Sequence, residues 1–337
     1  MSGLLLRLVI MTSDPTVGVA GASTARADAP AEALVVATDL RKAYGDFEAV
    51  RGIDITVRRG EAFGFLGPNG AGKSSTMRMI AAVSAPTGGT LRVLGLDPER
   101  DGSQIRARIG VCPQDDTLDS ELTVRENLLV YGRFFGLSRP EVARRADELL
   151  DFVQLTDKAG ARVEELSGGL KRRLTVARSL INDPEMLMLD EPTTGLDPQA
   201  RHLLWDRLFR LKQQGTTLLL TTHYMDEAEQ LCDRLVVIDE GVIVAEGSPL
   251  QLIAQHSSRE VCELRFGVDD HERVAAQIEH LAERVEVLPD RLLVYSSDGE
   301  AVVQAVHDLG LVPRSTLVRR STLEDVFLRL TGRSLAD

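Results

Sequence analysis

The stretch from Gly67 to Ser74, which reads GPNGAGKS, constrains the fold of this chain more than any other. It fits the pattern G-x-x-x-x-G-K-S/T, in which glycines let backbone N–H groups surround phosphate oxygens, the lysine reaches the β and γ phosphates, and the hydroxyl ligates Mg²⁺. An apolar run precedes the stretch at residues 63–66, and a helix is predicted to follow, with its N-terminus facing the anion. The predicted ligand is therefore a nucleoside triphosphate with Mg²⁺.

The predicted phosphate site comprises the whole stretch and the residue after it. Its members are Gly67, Pro68, Asn69, Gly70, Ala71, Gly72, Lys73, Ser74 and Ser75. Tyr44 lies beside a predicted turn at Gly45-Asp46, where its ring could stack on a purine base. The alternative for Tyr44 is simple packing against the sheet.

Three further apolar runs also end in polar residues. Gln114 follows the run 109–112, Asp190 and Glu191 follow 186–189, and His223 follows 216–222. Continuous apolar runs are typical of buried parallel strands, and open α/β sheets bind ligands beyond the carboxyl ends of such strands. We therefore expect these side chains to meet the phosphate loop at one edge of a parallel sheet.

The chemistry of these residues suits triphosphate hydrolysis. Asp190 is expected to hold Mg²⁺, so that Ser74, Asp190 and Gln114 are the predicted metal ligands. Glu191 can act as the general base or orient the attacking water, and His223 and Gln114 can sense the γ phosphate. The predicted catalytic residues are Glu191, His223, Lys73 and Gln114.

These motifs together resemble the ATPase subunit of an ATP-binding cassette (ABC) transporter, from about Leu34 to the end of the chain. In family order the chain contains a Walker A loop (67–74), a Q-loop glutamine (Gln114), an LSGG signature (166–169), Walker B with its glutamate (Asp190, Glu191), a D-loop (195–197) and a switch histidine (His223). The resemblance implies a homodimer in which each ATP lies between the Walker A loop of one subunit and the signature of the other.

By the same resemblance, Ser167, Gly168 and Gly169 are expected at the partner's ATP, Asp197 belongs to the D-loop, and Tyr44 occupies the adenine-stacking position. The family's usual glutamine after LSGG is Leu170 here, followed by three basic residues at 171–173. This is similar to the subgroup that includes the daunorubicin-resistance and nodulation lipo-oligosaccharide export ATPases. It implies an exporter subunit that works with an integral-membrane permease at the cytoplasmic face of the membrane.

The pattern along the chain predicts an α/β phosphate-loop core with inserted helices, followed by a small α+β domain of ferredoxin-like type. We expect a disordered extension at residues 1–33, the nucleotide-binding domain at 34–257 with a helical subdomain near 115–165, and the accessory domain at 258–337. A helical stretch is predicted over 123–163. Within it, Ser138 and Glu141 fit a capping box with Pro140 in the first turn, which predicts the start of a helix through Leu150.

Composition limits the possible partners. A formal net charge of -12 argues against a general nucleic-acid surface, and no apolar run approaches the roughly 20 residues that a membrane-spanning helix needs. Three widely spaced cysteines indicate reduced thiols.

Two other readings stay open. One is a soluble cassette ATPase that acts on a non-transport partner such as the ribosome, although such proteins usually carry two cassettes in one chain. The other is a regulatory switch that binds ATP without hydrolysis, against which the intact Glu191 and His223 argue. Chromosome-maintenance relatives are disfavoured because the chain contains no sustained heptads.

Overall fold

The apolar runs at residues 34–37, 62–66 and 109–112 form strands, as their patterns predict. The structure, a computed structural model, describes residues 32–267 and 271–332. The predicted N-terminal extension lies outside the described residues except for Glu32 and Ala33, and Ala33 already begins the first strand. The elements up to residue 112 are β1 (Ala33–Tyr44), β2 (Phe47–Arg58), β3 (Ala62–Leu66), α1 (Lys73–Ile80), β4 (Gly88–Val93), α2 (Gly102–Arg108) and β5 (Ile109–Cys112).

These strands belong to two different sheets. A three-stranded antiparallel sheet has the order β2-β1-β4, and its β1–β2 hairpin turns between Tyr44 and Phe47. Strands β3 and β5 belong to a second sheet, in which β3 is buried along its whole length. Helix α2 was not predicted, because its seven residues contain a single buried apolar side chain, Ile105, and so lack a helical period.

The second sheet, which we call the core sheet, has six strands in the order β5-β6-β7-β3-β8-β9. Its other elements are β6 (Met186–Asp190), α6 (Pro198–Gln213), β7 (Thr217–Thr222), α7 (Met225–Leu231), β8 (Arg234–Asp239), β9 (Val242–Gly247) and α8 (Pro249–His256). The first five strands are parallel and β9 is antiparallel. Continuous apolar runs such as β7 are buried on both faces, and the predicted α/β class is confirmed.

Three helices form a layer beside the core sheet: α3 (Val124–Phe134), α4 (Arg139–Phe152) and α5 (Gly168–Ser179). The stretch predicted as helical over 123–163 contains α3 and α4, which Gly136, with φ +74°, separates. Helix α4 begins after Ser138, as predicted, but the helical stretch ends at Phe152 rather than continuing to Val163. The capping box predicted at Ser138 was wrong. Ser138 is the N-cap residue of α4, but its side chain accepts no capping hydrogen bond.

The C-terminal region contains a four-stranded antiparallel sheet in the order β11-β12-β10-β13. Its elements are β10 (Glu260–Arg265), α9 (His271–Ile278), β11 (Arg284–Val287), β12 (Leu292–Ser296), α10 (Gly299–Asp308), β13 (Ser315–Arg320) and α11 (Leu323–Thr331). This strand order and the βαββαβ sequence of elements agree with the predicted ferredoxin-like arrangement.

Helix α11 connects this region with the core sheet. Leu323, Val326 and Phe327 are fully buried in the same apolar cluster as Leu231 of α7 and Leu252 of α8. The domain boundary at 257/258 remains a prediction, but the two regions share buried apolar contacts. Across residues 32–267 and 271–332, no helix combines the length and the apolar character that crossing a membrane would take.

Candidate functional site

The phosphate loop connects β3 with α1, which begins at Lys73. Two of its glycines lie so close to neighbouring backbone that a side chain at either position would clash. Gly72 has φ +103°, and a Cβ added there would lie 2.4 Å from the carbonyl oxygen of Ala49. A Cβ added at Gly67 would lie 2.2 Å from the carbonyl oxygen of Ile238. Glycine is therefore required at both positions for the loop to approach its neighbours and leave its N–H groups free to face an anion.

Lys73 is buried beneath this loop. Its ammonium group donates to the carbonyl oxygens of Gly67 (2.7 Å) and Pro68 (2.9 Å). Its Nζ also lies 4.0 Å from Oε1 of Glu191. Burial lowers the pKa of Lys73, while the neighbouring charges of Glu191 and Asp190 oppose that shift. The ammonium group thus lies between the loop and the acidic pair.

The acidic pair stands at the carboxyl end of β6. The Ser74 hydroxyl donates to Oδ1 of Asp190 over 3.4 Å, and the Thr221 hydroxyl donates to the same oxygen over 2.5 Å. Ser74, Asp190 and Gln114 line one cavity of about 200 Å³. Hydroxyl, carboxylate and amide oxygens are hard donors of the kind that Mg²⁺ prefers, so the residues present fit this ion.

Glu191 lies at the centre of the site. Its Oε2 accepts hydrogen bonds from Gln114 Nε2 and from the Thr194 hydroxyl, each over 3.2 Å. Its Oε1 lies 3.4 Å from Nδ1 of His223. Side chains that follow β5, β6 and β7 therefore meet at one edge of the core sheet, beside the phosphate loop that follows β3.

The backbone of Glu191 is itself unusual, with φ +45°. A residue with a side chain rarely adopts this left-handed conformation, which costs roughly 1–2 kcal/mol. The peptide is held in place because its N–H donates to the carbonyl and hydroxyl oxygens of Thr221, each over 3.1 Å. Such conformations cluster at functional sites.

Two aromatic rings lie at the far end of the site. Tyr44 and Phe47 face each other across the β1–β2 turn, and both are exposed. Both line a pocket of about 400 Å³ together with Lys73, Gln114 and Glu191. A hydrogen bond with Ser75 lowers the pKa of Tyr44, while burial opposes that shift. Phe47 was not among the predicted site residues, although its position directly across the hairpin from Tyr44 was a usable signal.

The signature residues lie elsewhere. Ser167 is the N-cap residue of α5, and both Ser167 and Gly168 are exposed. Asp197 caps α6 by accepting from the N–H of Ala200 over 2.9 Å. A Cβ added at Gly169 would lie 3.5 Å from that of Ala200, so the beginnings of α5 and α6 adjoin. Ser167, Gly168, Gly169 and Asp197 do not line the pocket of Tyr44 and Lys73.

Two family models match this chain. The model described as "ABC transporter" matches residues 50–194, and the model described as "Nodulation factor export protein NodI, C-terminal domain" matches residues 271–332. The first therefore includes the phosphate loop and the acidic pair, and the second covers most of the C-terminal region.

Similar proteins extend this match to nearly the whole chain. "Nod factor export ATP-binding protein I" of Paraburkholderia xenovorans is 49% identical over 306 residues, which cover 91% of this chain and 99% of the relative. The protein of the same name from Rhizobium meliloti is 48% identical over 337 residues, covering 100% of this chain and 94% of the relative.

Solved structures show the same architecture. One is described as the "ATP binding subunit of ABC transporter", with a TM-score of 0.61 and 30% identity, covering 66% of this chain and 92% of its own. A dimeric cassette in a post-hydrolysis state, bound to ADP and Pi, has a TM-score of 0.59 and 27% identity, covering 64% of this chain and 98% of its own.

Proposed function

Because the chain belongs to the ABC transporter family of ATPases, we propose that it dimerises around two ATP molecules and drives a separate membrane permease. Hydrolysis of ATP is the activity of this family. The proposed cargo is an amphiphile of the lipo-oligosaccharide or drug class, since the relatives that match along the whole chain are named for export of Nod factor. The proposed location is the cytoplasmic face of the membrane.

The contacts of the Glu191 carboxylate carry the catalytic part of this proposal. One oxygen accepts hydrogen bonds from Gln114 and Thr194, and the other lies near His223 and Lys73. A carboxylate held this way at the edge of a phosphate site can orient a water molecule and accept its proton. His223 and Gln114 would link the γ phosphate to the same carboxylate.

Mg²⁺ would be held by Ser74 and Asp190, with Gln114 beside them in the same cavity. When bound, it would neutralise charge on the β and γ phosphate oxygens. Lys73 would exchange its carbonyl contacts within the loop for phosphate oxygens, and Tyr44 and Phe47 would hold the base.

Dimerisation is proposed from the position of the signature residues. Ser167, Gly168 and Gly169 form an exposed N-terminus of α5, which is a twelve-residue helix outside the nucleotide pocket of its own subunit. A helix N-terminus favours an anion, so this one would contact the triphosphate bound by a second copy. The solved dimeric cassette, bound to ADP and Pi, supports dimerisation.

An apolar groove between the core sheet and the helical layer supports a protein partner. Two adjoining cavities of about 500 and 490 Å³ share Val111, Tyr131 and Phe134 as lining residues. Phe134 is 79% exposed, which is unusual for so large an apolar side chain. The groove extends to the cavity of Gln114 through Val111, so a permease segment seated there would lie near the catalytic site.

Co-purification tests the proposal. The Glu191→Gln variant should lose turnover by about 100-fold or more while retaining ATP, because the amide cannot accept a proton. We expect this variant, isolated from native membranes with ATP, to be dimeric and to carry one polytopic membrane protein at a near one-to-one ratio.

The matched control adds Phe134→Glu to the same variant, which places a charge in the groove at an exposed position. This control should keep ATP binding and lose the membrane protein. Recovery of ribosomal proteins, or of no partner, would favour a soluble cassette ATPase instead. Retained turnover in Glu191→Gln would contradict the role of Glu191 as base.

A further inference from the structure

Arg172 is a buried cation that the assigned motifs leave unused. It lies in the second turn of α5, five residues after the N-cap Ser167, and its exposed fraction is only 5%. In the sequence it stands out only as one of three consecutive basic residues. A guanidinium group is costly to bury unless its donors are satisfied, so its partners show what it does.

All of its polar contacts are backbone carbonyl oxygens. Nε donates to Pro192 (2.7 Å), Nη1 to Pro113 and to Gln114 (3.2 Å), and Nη2 to Asp190 (2.9 Å) and Glu191 (3.1 Å). None of these acceptors is a carboxylate oxygen. The guanidinium therefore acts as a fork of hydrogen-bond donors rather than as one half of an ion pair.

The five carbonyl groups come from two segments that matter for catalysis. Pro113 and Gln114 follow β5, and the other three residues end β6 or follow it. Arg172 thus joins the segment that carries Gln114 to the segment that carries Glu191. These are the two side chains that meet over 3.2 Å at the carboxylate of the candidate base.

Arg172 also completes the support of the strained peptide at Glu191. Thr221 accepts from the N–H of Glu191, and Arg172 donates to its carbonyl oxygen. Both polar groups of a residue with φ +45° are therefore held, the N–H by β7 and the carbonyl by α5 together with the N–H of Thr194 over 3.3 Å. Without Arg172, the carbonyl would keep only the longer bond from Thr194, and the peptide that carries the carboxylate would be less firmly held.

We propose that Arg172 is a positioning residue for ATP hydrolysis, which sets the relative placement of the Gln114 amide and the Glu191 carboxylate. This rests on the proposed role of Glu191 as general base. Arg172 also fixes Gln114 and Glu191 to α5, the helix whose N-terminus carries Ser167. Movement of α5 is then transmitted directly to the groups that orient the attacking water.

The chemistry of the side chain explains why arginine is needed. A guanidinium presents five N–H donors in one plane, whereas the ammonium group of lysine has three donors at a single point. Lysine could satisfy only some of the five carbonyl oxygens. Arg172 does not line the pocket of Tyr44 and Lys73, so its loss should affect the chemical step rather than ATP binding.

The test compares Arg172→Ala and Arg172→Lys with Arg178→Ala in steady-state ATPase assays. Arg178 is a matched control because it is also buried on α5, 7% exposed, and donates to the carbonyl and hydroxyl oxygens of Thr117 instead. Its removal should lower the melting temperature by a similar amount. We expect the control to retain kcat and KM within about two-fold, since a change that leaves the reacting groups in place leaves the barrier unchanged.

For Arg172→Ala we expect kcat to fall by about 10- to 100-fold with KM for ATP changed less than about two-fold, since misplacement by about 1 Å can cost that much. Arg172→Lys should fold and show an intermediate kcat. Full kcat in the lysine variant, or an equal loss in Arg178→Ala, would overturn the proposal. The Glu191→Gln variant distinguishes failure of this proposal from failure of the proposed function. Retained turnover in that variant would show that Glu191 is not the general base, whatever the Arg172 variants show.

Discussion

Glu227 is a buried carboxylic acid close to the catalytic site but outside it. It lies on α7, four residues after His223, and is fully buried. Burial raises its pKa above the ordinary 4.5, while hydrogen bonds with Thr222, Trp205 and Thr193 oppose that shift. The indole of Trp205 donates to Oε1 over 3.2 Å. Because the charged form is disfavoured in the folded protein, the residue links folding stability to pH.

Glu227→Gln should therefore stabilise the protein more at pH 8 than at pH 4.5. In the native protein the folded state binds this proton more tightly than the unfolded state. Its contribution to stability is complete below the unfolded pKa and is lost as pH rises through the folded pKa. Glutamine cannot ionise, so it removes that loss.

Urea unfolding at the two pH values measures the difference in unfolding free energy between native and variant. Glu324→Gln, which removes an exposed carboxylate on α11, is the control for the loss of a carboxylate as such. If the Glu227→Gln difference is independent of pH, the Glu227 carboxylate ionises freely in the folded protein.

At the residue scale, the sequence is sufficient to predict site residues whose side-chain type indicates a chemical role. Lys73, Gln114, Glu191 and His223 follow strands of the core sheet, and the rule for parallel strands predicts that they converge. Their roles remain predictions. Arg172 could not be found this way, because its acceptors are main-chain carbonyl groups, which carry no signal in a sequence. Phe47 was missed because one aromatic residue in a strand has many explanations.

The helix N-termini of the helical layer show which interactions stabilise single elements. At α3 the Thr123 hydroxyl accepts from the N–H of Glu126 (3.2 Å), and the Glu126 carboxylate accepts from the N–H of Thr123 (2.9 Å). At α4 the N-cap Ser138 makes no such bond. Pro140 is one reason, since a proline at the second helical position removes one of the two N–H groups that a cap can satisfy.

Thr123→Ala should cost about 1 kcal/mol of unfolding free energy, while Ser138→Ala should cost only a few tenths at most. The two substitutions remove the same hydroxyl chemistry from equivalent positions, so each is the control for the other. Chemical denaturation of both variants provides the comparison. Equal losses would show that Ser138 also caps its helix in solution.

The helices and strands with a clear apolar periodicity were predictable from the sequence. The alternating and continuous apolar runs gave the strands of the core sheet, and the order of elements in the tail gave its ferredoxin-like sheet. The start of α4 was predicted from Ser138 and Pro140, whereas the end of the helical stretch at Phe152 was not. The short helices α2 and α8 were not predicted, since neither extends much beyond two turns of apolar pattern.

At the scale of the whole molecule, the C-terminal elements (β10 to α11, here called the tail) share an apolar core with the preceding elements (β1 to α8, here called the cassette). The sequence did not predict this shared core. The pattern of α11 shows an apolar face but does not say which surface covers it. In the structure Phe327 is fully buried among residues of α7 and α8, in the same apolar cluster that Trp205 packs against. The chain has one tryptophan, so tryptophan fluorescence reports on the surroundings of Trp205 on α6.

Phe327→Ala should destabilise the cassette as well as the tail, by about 3–5 kcal/mol, because truncating a buried phenylalanine removes its apolar burial and leaves a cavity. If the cassette and the tail unfold as one cooperative unit, the urea transition of Trp205 fluorescence will shift by the same amount as the transition of far-ultraviolet circular dichroism.

Glu324→Ala, one turn earlier on the exposed side of α11, is the control and should shift both transitions by well under 1 kcal/mol. A Trp205 transition unchanged by Phe327→Ala would mean that the cassette unfolds independently of its tail. The predicted boundary at 257/258 would then mark two separately stable domains. A common shift would instead make α11 part of the cassette core, so that movement of the C-terminal sheet is coupled to α7, the helix that follows His223.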